Sequence, residues 1–144
     1  MKVIIMCGIS GSGKSTRTEK LYPEATVCST DHFFMVNGEY KFDPRKLSQA
    51  HGNCLRKFVA ELCYRKPLIV VDNTNTSVAE VAPYAALALA YDYKLEIEIL
   101  KVDVDTAAKR NIHGVPYTTI VKMAERIDNL KNELPFWWPN KEMK

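Results

Sequence analysis

The sequence lacks the runs and clusters that mark several protein classes. No uninterrupted apolar stretch approaches the roughly 20 residues a helix needs to cross a bilayer, and Met1-Lys2 leads straight into a short apolar run ending in a glycine-rich loop. Neither a membrane span nor a secretory leader is expected. There is no CxxC pair and no histidine cluster: Cys7, Cys28, Cys54 and Cys63 lie 21, 26 and 9 residues apart. That spacing suggests neither a zinc site nor a disulfide framework, and a reducing cytoplasm is the expected location. Repeats and low-complexity linkers are missing too. The charge is nearly balanced, 20 Lys+Arg against 17 Asp+Glu for a formal net charge of +3, a mild bias that suits a polyanionic partner without defining one. What remains is 144 residues, 47% hydrophobic and 26% charged. This is the size and balance of one globular domain, residues 1–144, and it excludes disorder as the main state.

Strand and helix alternate along the chain. Lys2 to Cys7 is a branched apolar run that stops at Gly8, the pattern of a strand buried on both faces. Ser12 to Leu21 reads as a helix ended by Pro23, and Thr26 to Thr30 as a strand ending at Asp31. His32 to Phe42 reads as an irregular excursion turning at Asn37-Gly38. Asp43-Pro44 caps and opens a helix to about Arg65, and Pro67 to Asp72 is the clearest buried strand. Ser77 with Glu80 forms a capping box for a helix through Ala90, with Pro83 expected to bend or delay its first turns. Leu95 to Val102 alternates apolar and acidic residues like a half-exposed edge strand, and Asp105 can cap a short helix to Arg110. A last helix starts at Pro116 and reaches about Asn132, before an apolar, proline-bounded tail. The expected fold is α/β: a P-loop NTPase domain with a mainly parallel sheet of about four or five strands, four of them assignable, flanked by helices and closed by a C-terminal lid around residues 109–120.

Gly8-Ile9-Ser10-Gly11-Ser12-Gly13-Lys14-Ser15 fits GxxxxGK[ST] between a buried strand and a helix, the context that confirms the motif. Backbone N–H groups of Gly8, Ser10, Gly11, Ser12 and Gly13 can ring phosphate oxygens. Lys14 supplies a positive charge to the β- and γ-phosphates, the Ser15 hydroxyl ligates Mg²⁺, and Thr16 supports the helix start. Asp72 ends its strand where a second carboxylate can orient the metal, or it is a plain strand-end turn. Asn73, Thr74, Asn75 and Thr76 follow at the carboxyl ends of the strands, where such sheets bind ligands, although a self-stabilised loop explains them equally. Asp31 faces the same crevice and can take the proton of an acceptor hydroxyl; a capping or solvated aspartate is the alternative. Arg110, His113 and Arg126 flank a Gly-Val-Pro break, as expected of a lid that brings cations onto the nucleotide, or are solvated and capping residues. Phe33, Phe34, Tyr40 and Phe42 with Lys41 and Arg45 have the composition of a base-stacking surface and equally that of packed core. For Phe136, Trp137 and Trp138, docking of the tail onto an apolar patch is the better reading.

GISGSGKST (8–16), STDHFF (29–34), YKFDPRKLSQAH (40–51), VVDNTNT (70–76) and KRNIHGVPYTTIVKMAERID (109–128) together resemble one group. It is that of the small P-loop phosphotransferases related to polynucleotide 5′-hydroxyl kinases, including the kinase-like domain of animal proteins that bind Nedd-type ubiquitin ligases. The resemblance implies Lys14 and Ser15 at the nucleotide phosphates and Mg²⁺, Asp31 as general base and Arg110 in the lid. Phage-type kinases of this group place an arginine three residues after the catalytic aspartate to hold the acceptor phosphate, and Phe34 stands there in this chain. A second lid arginine is replaced by His113, as in the animal branch. The implied activity is ATP- and Mg²⁺-dependent transfer of a γ-phosphoryl group to a hydroxyl, foremost the 5′-OH of DNA or RNA, with a nucleic acid as partner. A hydroxymethyl group on a modified DNA base, a nucleoside or a small metabolite is the alternative acceptor. A nucleotide-binding switch or ATPase without transfer is the alternative class.

Overall fold

The computed structural model describes residues 1–111 and 113–143. In chain order the elements are β1 (Lys2–Cys7), α1 (Lys14–Leu21), β2 (Thr26–Cys28), a 3₁₀ turn (Thr30–Phe34), β3 (Met35–Val36) and β4 (Glu39–Tyr40). A second 3₁₀ turn (Pro44–Lys46), α2 (Leu47–Cys63), β5 (Leu68–Asp72), α3 (Val78–Ala90) and β6 (Lys94–Leu100) follow. The chain ends with α4 (Val104–Arg110), α5 (Tyr117–Glu133) and β7 (Asn140–Met143). Five strands pair in parallel in the order β2-β5-β1-β6-β7, and β3 and β4 form a separate antiparallel hairpin. The expected α/β architecture is therefore present. Among the described residues no helix is long and apolar enough to cross a membrane.

Alternation along the strands divides the core between two faces. Val3, Ile5 and Cys7 join Ile69, Val71, Ile97 and Ile99 in the larger core, beneath residues of α2, α3, α4 and α5. Ile4 and Met6 point the other way, into a smaller cluster with Val70 and Leu100 that Tyr22, at the end of α1, helps to cover. Glu96 and Glu98 share that face, because Ile4 and Met6 are their partners in the β1–β6 register.

This arrangement corrects the reading of β6 as a half-exposed edge. It lies between β1 and β7, and Glu98 is 0% exposed. Its acidic residues are neutralised in place instead of facing water. Glu98 accepts hydrogen bonds from Arg17 Nε at 2.9 Å and from the Tyr22 hydroxyl, while Glu96 pairs with Lys2 at 2.6 Å and Lys141 at 2.5 Å. The edge belongs to β7, which sequence reading did not assign because Asn-Lys-Glu-Met has neither alternation nor β-branched residues.

Two expectations about stability follow from these pairs. Glu98 is fully buried while Arg17 keeps 28% side-chain exposure, so Glu98→Ala, which leaves Arg17 and the Tyr22 hydroxyl without their acceptor, should cost about 1–3 kcal/mol in chemical denaturation. Burial alone raises the Glu96 pKa, but the hydrogen bonds and charges of Lys141 and Lys2 outweigh it and hold the carboxyl at about 2. An unfolded glutamate titrates near about 4.3, so this stabilisation is complete above that pH and is lost as the pH falls through the folded value. Denaturation midpoints measured from about pH 5 down to about pH 2 should drop, and less so in Lys141→Met.

Smaller departures are local. β2 stops at Cys28, and Asp31 sits in the 3₁₀ turn that follows, where Ser29 Oγ accepts from Asp31 N at 3.2 Å. The segment read as irregular holds the β3–β4 hairpin, with Asn37 and Gly38 at φ 52° and 81°, as a type I′ turn requires. Asp103, not Asp105, caps α4, accepting from the backbone N–H groups of Asp105 and Thr106. The Ser77–Glu80 capping box is present, and α3 begins at once despite Pro83. Trp138 docks the tail into the larger core, while Phe136 and Trp137 stay exposed.

Candidate active site

The P-loop bridges β1 and α1, and its glycines are dictated by space. Gly11 has φ +82°, and a Cβ there would lie 2.1 Å from the Ala107 carbonyl oxygen of α4, so only glycine lets the loop pass under that helix. Gly13 caps α1 at φ 93°, ψ 17°, and nothing lies within 4 Å of where its Cβ would be. Gly8 N donates to Thr74 O at 2.9 Å, fastening the loop to the segment after β5. Ser10 Oγ lies 3.9 Å from Met123 Sδ of α5. Ser12 Oγ is buried with no hydrogen-bond partner among the described residues. Lys14 Nζ folds across the loop and donates to the carbonyls of Gly8 at 3.1 Å and Ile9 at 3.2 Å. Open space at Gly13, an orphaned hydroxyl at Ser12 and an ammonium held only by carbonyls fit an anion with several oxygens. Burial lowers the Lys14 pKa, while the charges of Asp72 and Asp31 raise it.

Ser15 Oγ donates to Asp72 Oδ2 at 2.8 Å, joining the start of α1 to the end of β5. Burial pushes the Asp72 pKa up, opposed by Lys14 and by the Ser15 hydrogen bond. The next residue explains how Asp31 is held nearby. Asn73 Oδ1 accepts from Thr30 N at 2.9 Å and Thr30 Oγ1 at 3.1 Å, and its Nδ2 donates to Cys54 Sγ at 3.6 Å. Asn73 thus latches the turn carrying Asp31 to the tip of β5. Asn75, at φ 45°, donates through Nδ2 to Met6 O at 2.9 Å. Both asparagines, read from sequence as facing the substrate, are buried in fold-holding bonds. Thr74 offers its carbonyl to the P-loop, as given above.

Asp31 is half-exposed between two elements. Tyr40 hydroxyl donates to its Oδ1 at 3.3 Å, and His113 Nε2, from the turn between α4 and α5, lies 3.6 Å from its Oδ2. Tyr40 and His113 rings approach to 4.1 Å between centroids. Phe34, in the position of the phage-type arginine, is 3% exposed and packs against Phe33, Tyr40 and Phe42. Phe34 is therefore a packing residue, whereas Phe33 and Tyr40 are partly buried and Phe42 is 49% exposed.

The cations of the C-terminal part separate. Arg110 ends α4 exposed, about one helical turn beyond the Ala107 carbonyl that abuts Gly11. Arg126 Nε donates to Thr76 Oγ1 at 2.8 Å, and the residue lines a cleft of about 260 Å³ with Ser77 and Glu133. Thr16 stands at the mouth of a further cleft of about 330 Å³ that begins at Gly13 and runs past Arg17, Lys101, Val102 and Met143. Sequence reading missed this cleft and the Tyr40 contact. The only trace of the latter was Tyr40 within the YKFDP cluster.

A parallel sheet with a P-loop after its central strand, and a Ser15–Asp72 pair beneath it, defines a P-loop kinase-like nucleotide-binding domain. Residues 3–113 match the family model described as AAA domain, and the chain belongs to that family. It is 35% identical over 136 residues to NEDD4-binding protein 2 of Homo sapiens, covering 85% of this chain and 7% of that protein. It is 27% identical over 124 residues to a protein of Autographa californica nuclear polyhedrosis virus provisionally named a bifunctional polynucleotide kinase/RNA ligase, covering 76% of this chain and 18% of the other. The chain therefore spans a small fraction of either relative. Among solved structures, a chain of the Pnkp1/Rnl/Hen1 RNA repair complex superposes with a TM-score of 0.71 at 20% identity, over 94% of this chain and 46% of that one. A gluconokinase from Sinorhizobium meliloti 1021 gives a TM-score of 0.60 at 18% identity, over 98% of this chain and 82% of the other, and shares the fold.

Proposed function

We propose that this domain transfers the γ-phosphoryl group of ATP to a hydroxyl, and that the acceptor is the 5′-OH of a DNA or RNA strand. The observation that carries the reading is the Asn73 latch, which fixes the turn bearing Asp31 beside the strand end bearing Asp72. A base and a phosphate cradle thus share one crevice. Asp31 accepts the proton of the acceptor hydroxyl as its oxygen bonds to the γ-phosphorus; the bond from that phosphorus to the β–γ bridging oxygen breaks, and ADP leaves. In this reading Lys14 turns from its carbonyls toward the phosphates, and Arg110 reaches them from the end of α4. Among the described residues no cluster of three or more His, Cys, Asp or Glu could hold a metal, so the Ser15 and Asp72 oxygens fit an ion that takes its other ligands from water and phosphate, as Mg²⁺ does. Bound there, Mg²⁺ would screen the phosphate charge. In this reading the nucleoside end of ATP occupies the cleft lined by Gly13 and Thr16.

The polynucleotide acceptor is supported by the viral relative's name and by the conjunction of DNTNT with RNIHGVP. The buried Phe34 favours keeping a second acceptor class, a modified-base hydroxymethyl group, nucleoside or small alcohol, since no arginine at that position holds an acceptor phosphate. An acceptor panel separates the two: with labelled ATP, label should enter a 5′-OH oligonucleotide and not its 5′-phosphorylated twin. Label entering only nucleosides or small alcohols would move the acceptor to the second class.

A further inference from the structure

A general base works only if its lone pair is aimed, and an aspartate nearly half exposed on a short turn is not aimed by its own backbone. Asp31 has a side-chain exposure of 47%. Its described side-chain partners are Tyr40 on Oδ1 and His113 on Oδ2. Tyr40 is well founded for such a task. It is in β4, whose hairpin is tied to the Asp31 turn by Lys41 N donating to Phe34 O at 2.8 Å. Its ring lies 10° from the plane of Phe42 and meets the edge of the buried Phe34. The hydroxyl is the one polar atom that this aromatic platform presents to the carboxylate.

Resting on the transfer reading above, we propose that Tyr40 is a positioning residue for the proton transfer: its hydroxyl holds Asp31 Oδ1, so that Oδ2 is the oxygen offered to the acceptor, beside His113 Nε2. The two carboxylate oxygens thereby have different tasks. The 3.6 Å between Oδ2 and Nε2 allows an acceptor oxygen to sit at about 2.8 Å from both, which makes the β4–lid contact a part of the acceptor pocket. Burial first, then the Asp31 charge, push the Tyr40 phenol up to about 12, so the hydroxyl keeps its proton and remains a donor.

Tyr40→Phe removes the hydroxyl and keeps the ring against Phe34 and Phe42. It should lower kcat for transfer about tenfold, the scale of a hydrogen bond to a charged group, with KM for ATP unchanged. In an Asp31→Asn background, Tyr40→Phe should add no comparable loss. Wild-type kcat in Tyr40→Phe, or a loss shared equally between kcat and ATP binding, with Asp31→Asn impaired, would overturn this role and leave the transfer reading standing. So would a full tenfold loss persisting in the double variant. A wild-type protein that binds ATP but phosphorylates no hydroxyl would overturn both.

Discussion

Asp31→Asn is expected to lower phosphoryl transfer by about 10²- to 10⁴-fold, the usual contribution of a positioned general base, while ATP affinity stays at the wild-type level. Asparagine keeps the size of the side chain and an oxygen for the Tyr40 hydroxyl, so the turn latched by Asn73 should hold its shape. What is lost is the ability to accept a proton as the acceptor oxygen bonds to phosphorus. The P-loop contacts lie on another element and are untouched. Steady-state transfer beside equilibrium binding of a fluorescent ATP analogue checks both halves. Unchanged transfer would remove Asp31 as the base, whereas equal loss of transfer and binding would make it a structural residue.

Lys14→Ala should damage two steps where Asp31→Asn damages one, lowering transfer by about 10²- to 10³-fold, as removal of a preorganised transition-state donor does, and weakening ATP binding as well. Lys14 is the cation that acts on both Asp72 and Asp31 and bonds the Gly8 and Ile9 carbonyls. Its removal leaves two carboxylates without that counter-charge at the place where phosphate must enter. With Lys14 gone, the upward push of burial on Asp72 meets less opposition, which further weakens the oxygen pair offered to a metal. Isothermal titration with ATP and Mg²⁺, together with transfer rates, separates the binding loss from the chemical one.

The P-loop was readable because strict sterics write it: Gly11 admits no Cβ against Ala107, and a branched strand and a helix start flank it. Ser15 and Asp72 were readable for a similar reason, since both follow directly from the ends of regular elements. The roles of Asn73 and Asn75 were not. An asparagine after a strand has the same letters whether it faces a ligand or turns inward, and only the tertiary position of Thr30 and Met6 decides. The Arg126 contact was hidden on the same ground, because helix spacing does not say that Thr76 lies within its reach. The alternation of Leu95 to Val102 was real, but buried ion pairs and solvent both favour glutamate, and distinguishing them required knowing that Arg17, Tyr22 and Lys141 converge there. Tyr40 was noticed only as a stacking or packing aromatic, because its hydroxyl's contact with the carboxylate is visible only from Asp31.

The most direct test of the central claim is the initial rate of labelled phosphate transfer from ATP to a 5′-OH single-stranded oligonucleotide in the presence of Mg²⁺, for wild type, Lys14→Ala and Asp31→Asn. Labelling by the wild type that both variants lose, with Asp31→Asn still binding ATP, is the expected result. ATP hydrolysis by the wild type at a rate indifferent to every hydroxyl acceptor, and unaffected by Asp31→Asn, would contradict it and make the domain an ATPase or nucleotide switch.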